Sequence, residues 1–325
     1  MRAISLIPTL ALALSTSCSA FVVRPTLLKP AQTPALVRTE SKMKALALPP
    51  LPTCSVANVW RLAGWSGGTA LVAQLGLSAM FARSSNVEYN RTPGQTAHKV
   101  VSLIVMVMVS VVGGLALFTP GSWPTSAAAA LIVPDATCRF IAALLLGELL
   151  LWDLPTFLWI PKLRKRKDLL YHHVGLAFAV WVTAALAPAY YGLYYFGLSE
   201  GSAVPLTLNG YFAAAHDAVQ EEAPVDEKRL ARLAKLRDSF QILAALCFVV
   251  FRSIGFTWFT FCKLLPQTVE LLRPPISAAA LALATPLKLH CVIAVSFNLL
   301  QFYWLLLLVK YTIATGLGGE IPEND

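Results

Sequence analysis

The stretch Asp168–Trp181, DLLYHHVGLAFAVW, follows directly on the basic run PKLRKRK. A cluster of cations leading into an apolar run reads as the mouth of a membrane helix. The charges stay with water and headgroups while the apolar side chains enter the hydrocarbon. The same stretch carries two adjacent imidazoles, His172 and His173, close to that mouth. Their presence there has to be explained by what they meet inside the protein.

The rest of the chain agrees with the membrane reading. Of 325 residues, 57% are hydrophobic and only 13% are charged, and the mean hydropathy is +0.64. A soluble domain of this length carries more charge. Further apolar runs reach the ~20 residues that a helix needs to cross a bilayer. Spans are expected near 56–81, 98–118, 138–160, 169–187, 198–216, 239–262 and 288–313. The expected fold class is all-α: a polytopic transmembrane helical bundle of about seven spans around an internal lipid-binding cavity. The short run 274–286 is too short to span and is expected in the interface. The net charge of +9 is no nucleic-acid signal, because its cations lie between apolar runs and are not interleaved with aromatics. No nucleic-acid partner is expected.

The N-terminal segment reads as an address. ISLIPTLALALS is a short apolar core after Arg2, and CSA places small residues where a signal peptidase cuts, so 1–20 is expected to be a signal peptide. The segment 21–55 is basic and rich in Pro and Thr, and is expected to be a disordered luminal or transit-like stretch. The endoplasmic reticulum or secretory pathway is the expected location. Phe21 directly after the cut is similar to the presequence of algae with secondary plastids, which makes a plastid membrane the alternative. Residues 56–97 form the first span and its loop, and GGEIPEND ends the chain as an acidic tail over 316–325. The loops after spans one, three and five hold thirteen Lys and Arg and the opposite loops three. By the positive-inside rule the basic loops face the cytoplasm.

Ionisable residues inside the spans carry the functional signal, since a charge at mid-membrane costs roughly 2.5–3.5 kcal/mol on insertion scales. Glu148 and Asp153 lie in span three, the histidine pair in span four, Glu200 and Asn209 in span five, Arg252 in span six, and His290 and Asn298 in span seven. One shared interior site is more economical than four separate burials. Asp168 and His172 are four apart, on one helix face, so the carboxylate can hold that imidazole. His172 and His173 point about 100° apart and cannot aim along one line. Glu200 and Asn209 reach one pocket only if the helix is broken, and Pro205 is a candidate for the break. The five cysteines after the signal segment show no CxxC spacing, so a zinc site is not supported; no metal and no cofactor are expected.

The order of these residues resembles the TLC domain, a family of multi-span, lipid-associated membrane proteins. The resemblance rests on DLLYHH, LSEGSAVPLTLNGYF, FVVFRSIGF and FNLLQFYWLLLLVK, over about residues 98–315. It implies a site made of Asp153, Asp168, His172, His173, Glu200, Ser202, Asn209, Arg252, Asn298 and Trp304. The family includes ceramide synthases, which acylate sphingoid bases with acyl-CoA. In those enzymes an acidic run follows the histidine pair. Here His216 and Asp217 begin such a run, but AVQE does not continue it. The ESxxPxxxN form is closer to the TLC-domain-containing branch.

The resemblance therefore implies a protein of lipid homeostasis that binds, senses or transports lipids through its pocket. The alternative is a ceramide-synthase-like N-acyltransferase with His172, His173 and Asp168 as catalytic residues. A second alternative is a cargo or translocation-associated protein. The expected partners are membrane lipids, with acyl-CoA added if acyl transfer occurs; the oligomeric state stays open. A role in helix contacts or headgroup binding at the interface is the competing reading of the histidine pair.

Overall fold

In the computed structural model the described residues are 56–165, 167–186, 190–222 and 224–316. The expected signal peptide, the segment 21–55 and residues 317–325 of the expected tail lie outside them.

Seven long helices carry the described chain, and among the described residues there is no strand. Helix α1 is Val56–Ala82 and α2 is Pro93–Phe118. Helix α3, residues 136–159, joins Ala136–Gly147, a π-helical segment Glu148–Asp153, and Leu154–Trp159. Helix α4 is Lys167–Trp181, prolonged by the π-helical segment Val182–Leu186. Helix α5 is Ala203–Gln220, entered through a π-helical segment Leu193–Gly197 and a 3₁₀ turn Leu198–Ser202. Helix α6 is the continuous stretch Glu227–Leu271, and α7 is Ala284–Gly316.

Four stretches are long and apolar enough to cross a bilayer: Pro93–Phe118, Ala127–Trp159, Glu227–Leu271 and Ala284–Lys310. The shorter apolar stretch Leu169–Ala184 lies in α4. Helices α1 and α5 stand where spans one and five are expected, but their sequences are more polar. The protein is an all-helical membrane bundle.

Helix α7 shows why these sequences suit lipid rather than water. Val292, Leu299 and Leu306 recur every seven residues and are 63%, 66% and 68% exposed. His290, Asn298 and Gln301, on the opposite face, are buried. In a soluble helix the apolar stripe turns inward. Here the apolar stripe faces outward and the polar groups are gathered inside, as a hydrocarbon solvent demands.

The π-helical segments have a local cause in two places. Pro155 and Pro266 each lack an amide donor and crowd the carbonyl four residues back, that of Leu151 or Cys262. Each of those carbonyls lies in a π segment, Glu148–Asp153 or Phe259–Leu264. The wider turn absorbs the mismatch without ending the helix. It also resets the facing of the side chains. Glu148 and Asp153 are five apart, about 140° on a regular α-helix, yet both are buried.

The helices run alternately up and down. At one end Arg229 donates from Nε to Glu88 Oε1 at 2.8 Å and from Nη2 to Asn86 Oδ1 at 2.6 Å. Beside them Arg91 pairs with Glu221. The loop after α1 and the junction of α5 with α6 therefore meet. At the other end the Tyr190 amide donates to the Ala130 carbonyl at 2.9 Å, and Tyr190 meets Ser122 at 3.3 Å. Glycine permits two close helix crossings. A methyl group added at Gly67 of α1 would fall on the Gly147 carbonyl of α3, and one at Gly113 of α2 would fall on Gly197.

Candidate functional site

Asp153, at the end of the α3 π segment, is 2% exposed and is held by two histidines from different helices. His98 of α2 contacts Oδ1 through Nε2 at 2.8 Å, and His173 of α4 contacts Oδ2 through Nδ1. An ionised carboxylate only accepts, so both rings donate. That fixes their orientation and leaves Nε2 of His173 as the lone-pair nitrogen of that ring when neutral. A carboxylate on Nδ1 with Nε2 free is the arrangement that makes an imidazole an oriented base.

Aromatic rings wall this cluster. His98 stacks on Trp152, with centroids 4.9 Å apart, and meets the edge of Phe157 at 5.9 Å. Phe157 also meets His173 at 4.9 Å. Trp152 in turn donates from Nε1 to Gln74 Oε1 at 3.4 Å, so α1 braces the wall from behind. The two histidines of the pair diverge. His173 turns to α3, while His172 meets Trp304 at 4.9 Å and Phe297 at 5.6 Å on α7. The pair thus joins α3 to α7 across α4.

A second polar cluster joins α6 to the 3₁₀ turn before α5. Arg252 donates from Nη2 to Glu200 Oε2 at 2.8 Å and from Nε to Ser202 Oγ at 2.7 Å. All three side chains are buried. Glu148 is buried as well, with Oε2 lacking a hydrogen-bond partner.

The remaining expected site residues go elsewhere. Asn298 is 1% exposed; its Nδ2 donates to Thr260 Oγ1 at 2.7 Å, and its Oδ1 accepts from Thr257 at 3.1 Å. This ties α7 to α6. Thr260 also meets Tyr195 at 2.9 Å. Asn209 donates to the Arg237 carbonyl at 2.9 Å. Arg237 and Arg252 are fifteen residues apart on α6, about 22 Å at 1.5 Å per residue. Glu200 and Asn209 thus grip α6 at two levels and do not share a pocket. The break between them is the 3₁₀ turn Leu198–Ser202, not Pro205, which sits in the first turn of α5. The Asp168 side chain lies outside the described residues. His216 meets the neighbouring Asp217 at 3.5 Å.

Among the described residues no group of three or more His, Cys, Asp and Glu side chains is placed to hold a metal ion. A cavity of about 430 Å³ lies at the end of the bundle where α1 and α3 finish and α2 begins. Gln74, Ser78, Gly94, Gln95, Thr156 and Trp159 line it. Thr156 donates to the Asp153 carbonyl at 2.8 Å, so the cavity wall is one turn from the two-histidine cluster.

Sequence reasoning missed His98. Its signal was present, since AHKVV places an imidazole at the opening of an apolar helix. Gln74, Tyr195 and Thr260 were also missed, and nothing in their spacing marks them out.

A buried carboxylate shared by two imidazoles inside a bundle of apolar-faced helices defines an integral membrane protein with an internal polar site. The family model for the TLC domain matches residues 92–310, more than half of the chain, and the chain belongs to that family. Membership implies a function concerned with membrane lipids. Neither a curated protein nor a solved structure shows a significant match to the chain.

Proposed function

We propose that this protein handles membrane lipids by holding a lipid headgroup at the Asp153 cluster, and that its role is lipid homeostasis through binding, sensing or transport. The observation that carries the reading is the clamping of Asp153 by His98 and His173 behind aromatic walls, at the end of the bundle where α3 passes into the basic run PKLRKRK. Imidazoles fixed by a buried carboxylate supply a donor and an acceptor within one small volume. The basic run PKLRKRK between α3 and α4, at the same end, draws anionic headgroups towards it. By the positive-inside rule this is the cytoplasmic face. The endoplasmic reticulum or secretory pathway is the proposed location, and a plastid membrane is the alternative.

The Asp153–His173 contact favours one further reading, acyl transfer. With Nδ1 engaged, Nε2 of His173 can take a proton from an amine nucleophile while acyl-CoA supplies the acyl group. The amide bond forms, the thioester breaks and CoA leaves as the thiol. Cargo or translocation roles have no supporting contact.

The test incubates the detergent-purified protein with long-chain acyl-CoA and an amine-bearing lipid. Intact mass and released CoA are measured together with the lipids that co-purify. Co-purifying lipid that falls at least tenfold in His98→Ala/His173→Ala, with no CoA release, supports lipid handling without catalysis. CoA release that His173→Ala abolishes supports acyl transfer. Lipid content unchanged in a folded double variant overturns both.

A further inference from the structure

The cavity formed by α1, α2 and α3 is distinct from the cluster around Asp153. We infer that it is a second binding site, for the alkyl chain and hydroxyl of an uncharged lipid such as a fatty alcohol or a monoacylglycerol.

The chemistry of the wall selects that class. The cavity is about 430 Å³, within the size range of small-ligand sites. None of its lining residues is charged. Leu75, Trp159 and Ile160 supply apolar surface, while Ser78, Thr92, Gln95 and Thr156 supply neutral hydrogen-bonding groups. A phosphate or carboxylate entering such a wall would lose its hydration and gain no counter-charge from the lining residues. An alkyl chain loses nothing comparable. Gln95 adds a specific requirement, because its Oε1 is buried without a hydrogen-bond partner. An acceptor of this kind is satisfied by a donor, such as a hydroxyl, and not by an ester or an anion.

The cavity is also built by a helix outside the TLC-domain match. Gln74, Leu75 and Ser78 belong to α1, which ends before residue 92. Gln74 is 2% exposed and makes three contacts at once. It donates to the Gly94 carbonyl at 2.8 Å and to Ser78 Oγ at 3.2 Å, and accepts from Trp152 at 3.4 Å. Trp152 is the ring on which His98 stacks. An occupant pressing on Gln74 therefore acts through one indole on the ring that holds Asp153.

Substitution can close the cavity from within. A Cβ added at Gly94 would meet only Ile160 side-chain carbons, at 3.7 Å, so a larger side chain there has room to begin and then fills the space. The experiment uses the full chain in neutral-lipid nanodiscs with a diazirine-bearing long-chain alcohol as photoprobe, and peptide mass mapping as the readout. The expected labels fall within 74–78, 92–95 and 156–161. Gly94→Phe and, independently, Ser78→Leu should each lower that labelling at least tenfold. Gln95→Leu should abolish the preference for the alcohol over its methyl ether. A lysophosphatidic acid of equal chain length should fail to compete. His98→Ala/His173→Ala should leave the labelling in place, so this site and the Asp153 site can fail separately. Labelling unchanged in both filling variants, or displaced as well by the anionic lipid as by the alcohol, overturns the proposal.

Discussion

Two buried ionic clusters in this bundle are built differently. Around Arg252 the guanidinium is engaged by Glu200 and Ser202, all three are buried, and the contacts lock α6 against the turn that starts α5. Around Asp153 the guanidinium is replaced by two imidazoles, each of which carries both a donor and an acceptor position when neutral. Its walls are rings rather than hydrogen-bonding groups, and His173 keeps 20% of its side-chain surface exposed, against 10% for Arg252. A guanidinium locked onto a carboxylate and a hydroxyl serves architecture, and imidazoles held by a carboxylate behind aromatic walls serve binding.

The comparison breaks first at Arg252. Arg252→Met leaves Glu200 buried and unpaired, which costs roughly 3–5 kcal/mol and should abolish recovery of folded protein in a detergent thermal-shift assay. Replacing both partners, Arg252→Met with Glu200→Leu, should restore most of the folded fraction. A stable single variant would show that the clamp is not structural. At the other cluster, Asp153→Asn retains shape and one acceptor but leaves one imidazole without its partner. A loss of about 1–3 kcal/mol is expected, with folded protein still recovered and bound lipid strongly reduced. Collapse of this variant to the level of Arg252→Met would erase the distinction. Asn209→Ala removes a single bond to the Arg237 carbonyl and touches neither cluster directly. It should cost about 1 kcal/mol and leave bound lipid unchanged. Lipid loss in that variant would extend the functional region to α5.

How much of this was legible beforehand differs between elements. The helical membrane class followed from apolar runs and their basic flanks, because hydrocarbon thickness sets a length that sequence shows directly. The divergence of His172 and His173 also followed, since one residue of helix is about 100°. The partners of Asp153 did not. His98 lies 55 residues from it in sequence, and His173 lies 20 away, and only tertiary packing brings both to one carboxylate. The segment Glu148–Asp153 hid the rest, because an α-helical period places those two acids on different faces and the π turn does not. Asn209 shows the reverse error of pattern reading. A polar residue in an apolar run can serve a neighbouring backbone carbonyl as readily as a ligand.

The central claim is that the Asp153 cluster binds lipid while the Arg252 cluster holds the fold. Native mass spectrometry of His173→Ala beside the unaltered protein and Asn209→Ala, with thermal stability measured on the same samples, tests it most directly. The account predicts that His173→Ala stays folded and loses at least tenfold of its co-purifying lipid, while Asn209→Ala retains it. Folded His173→Ala carrying its full complement of lipid would contradict the account.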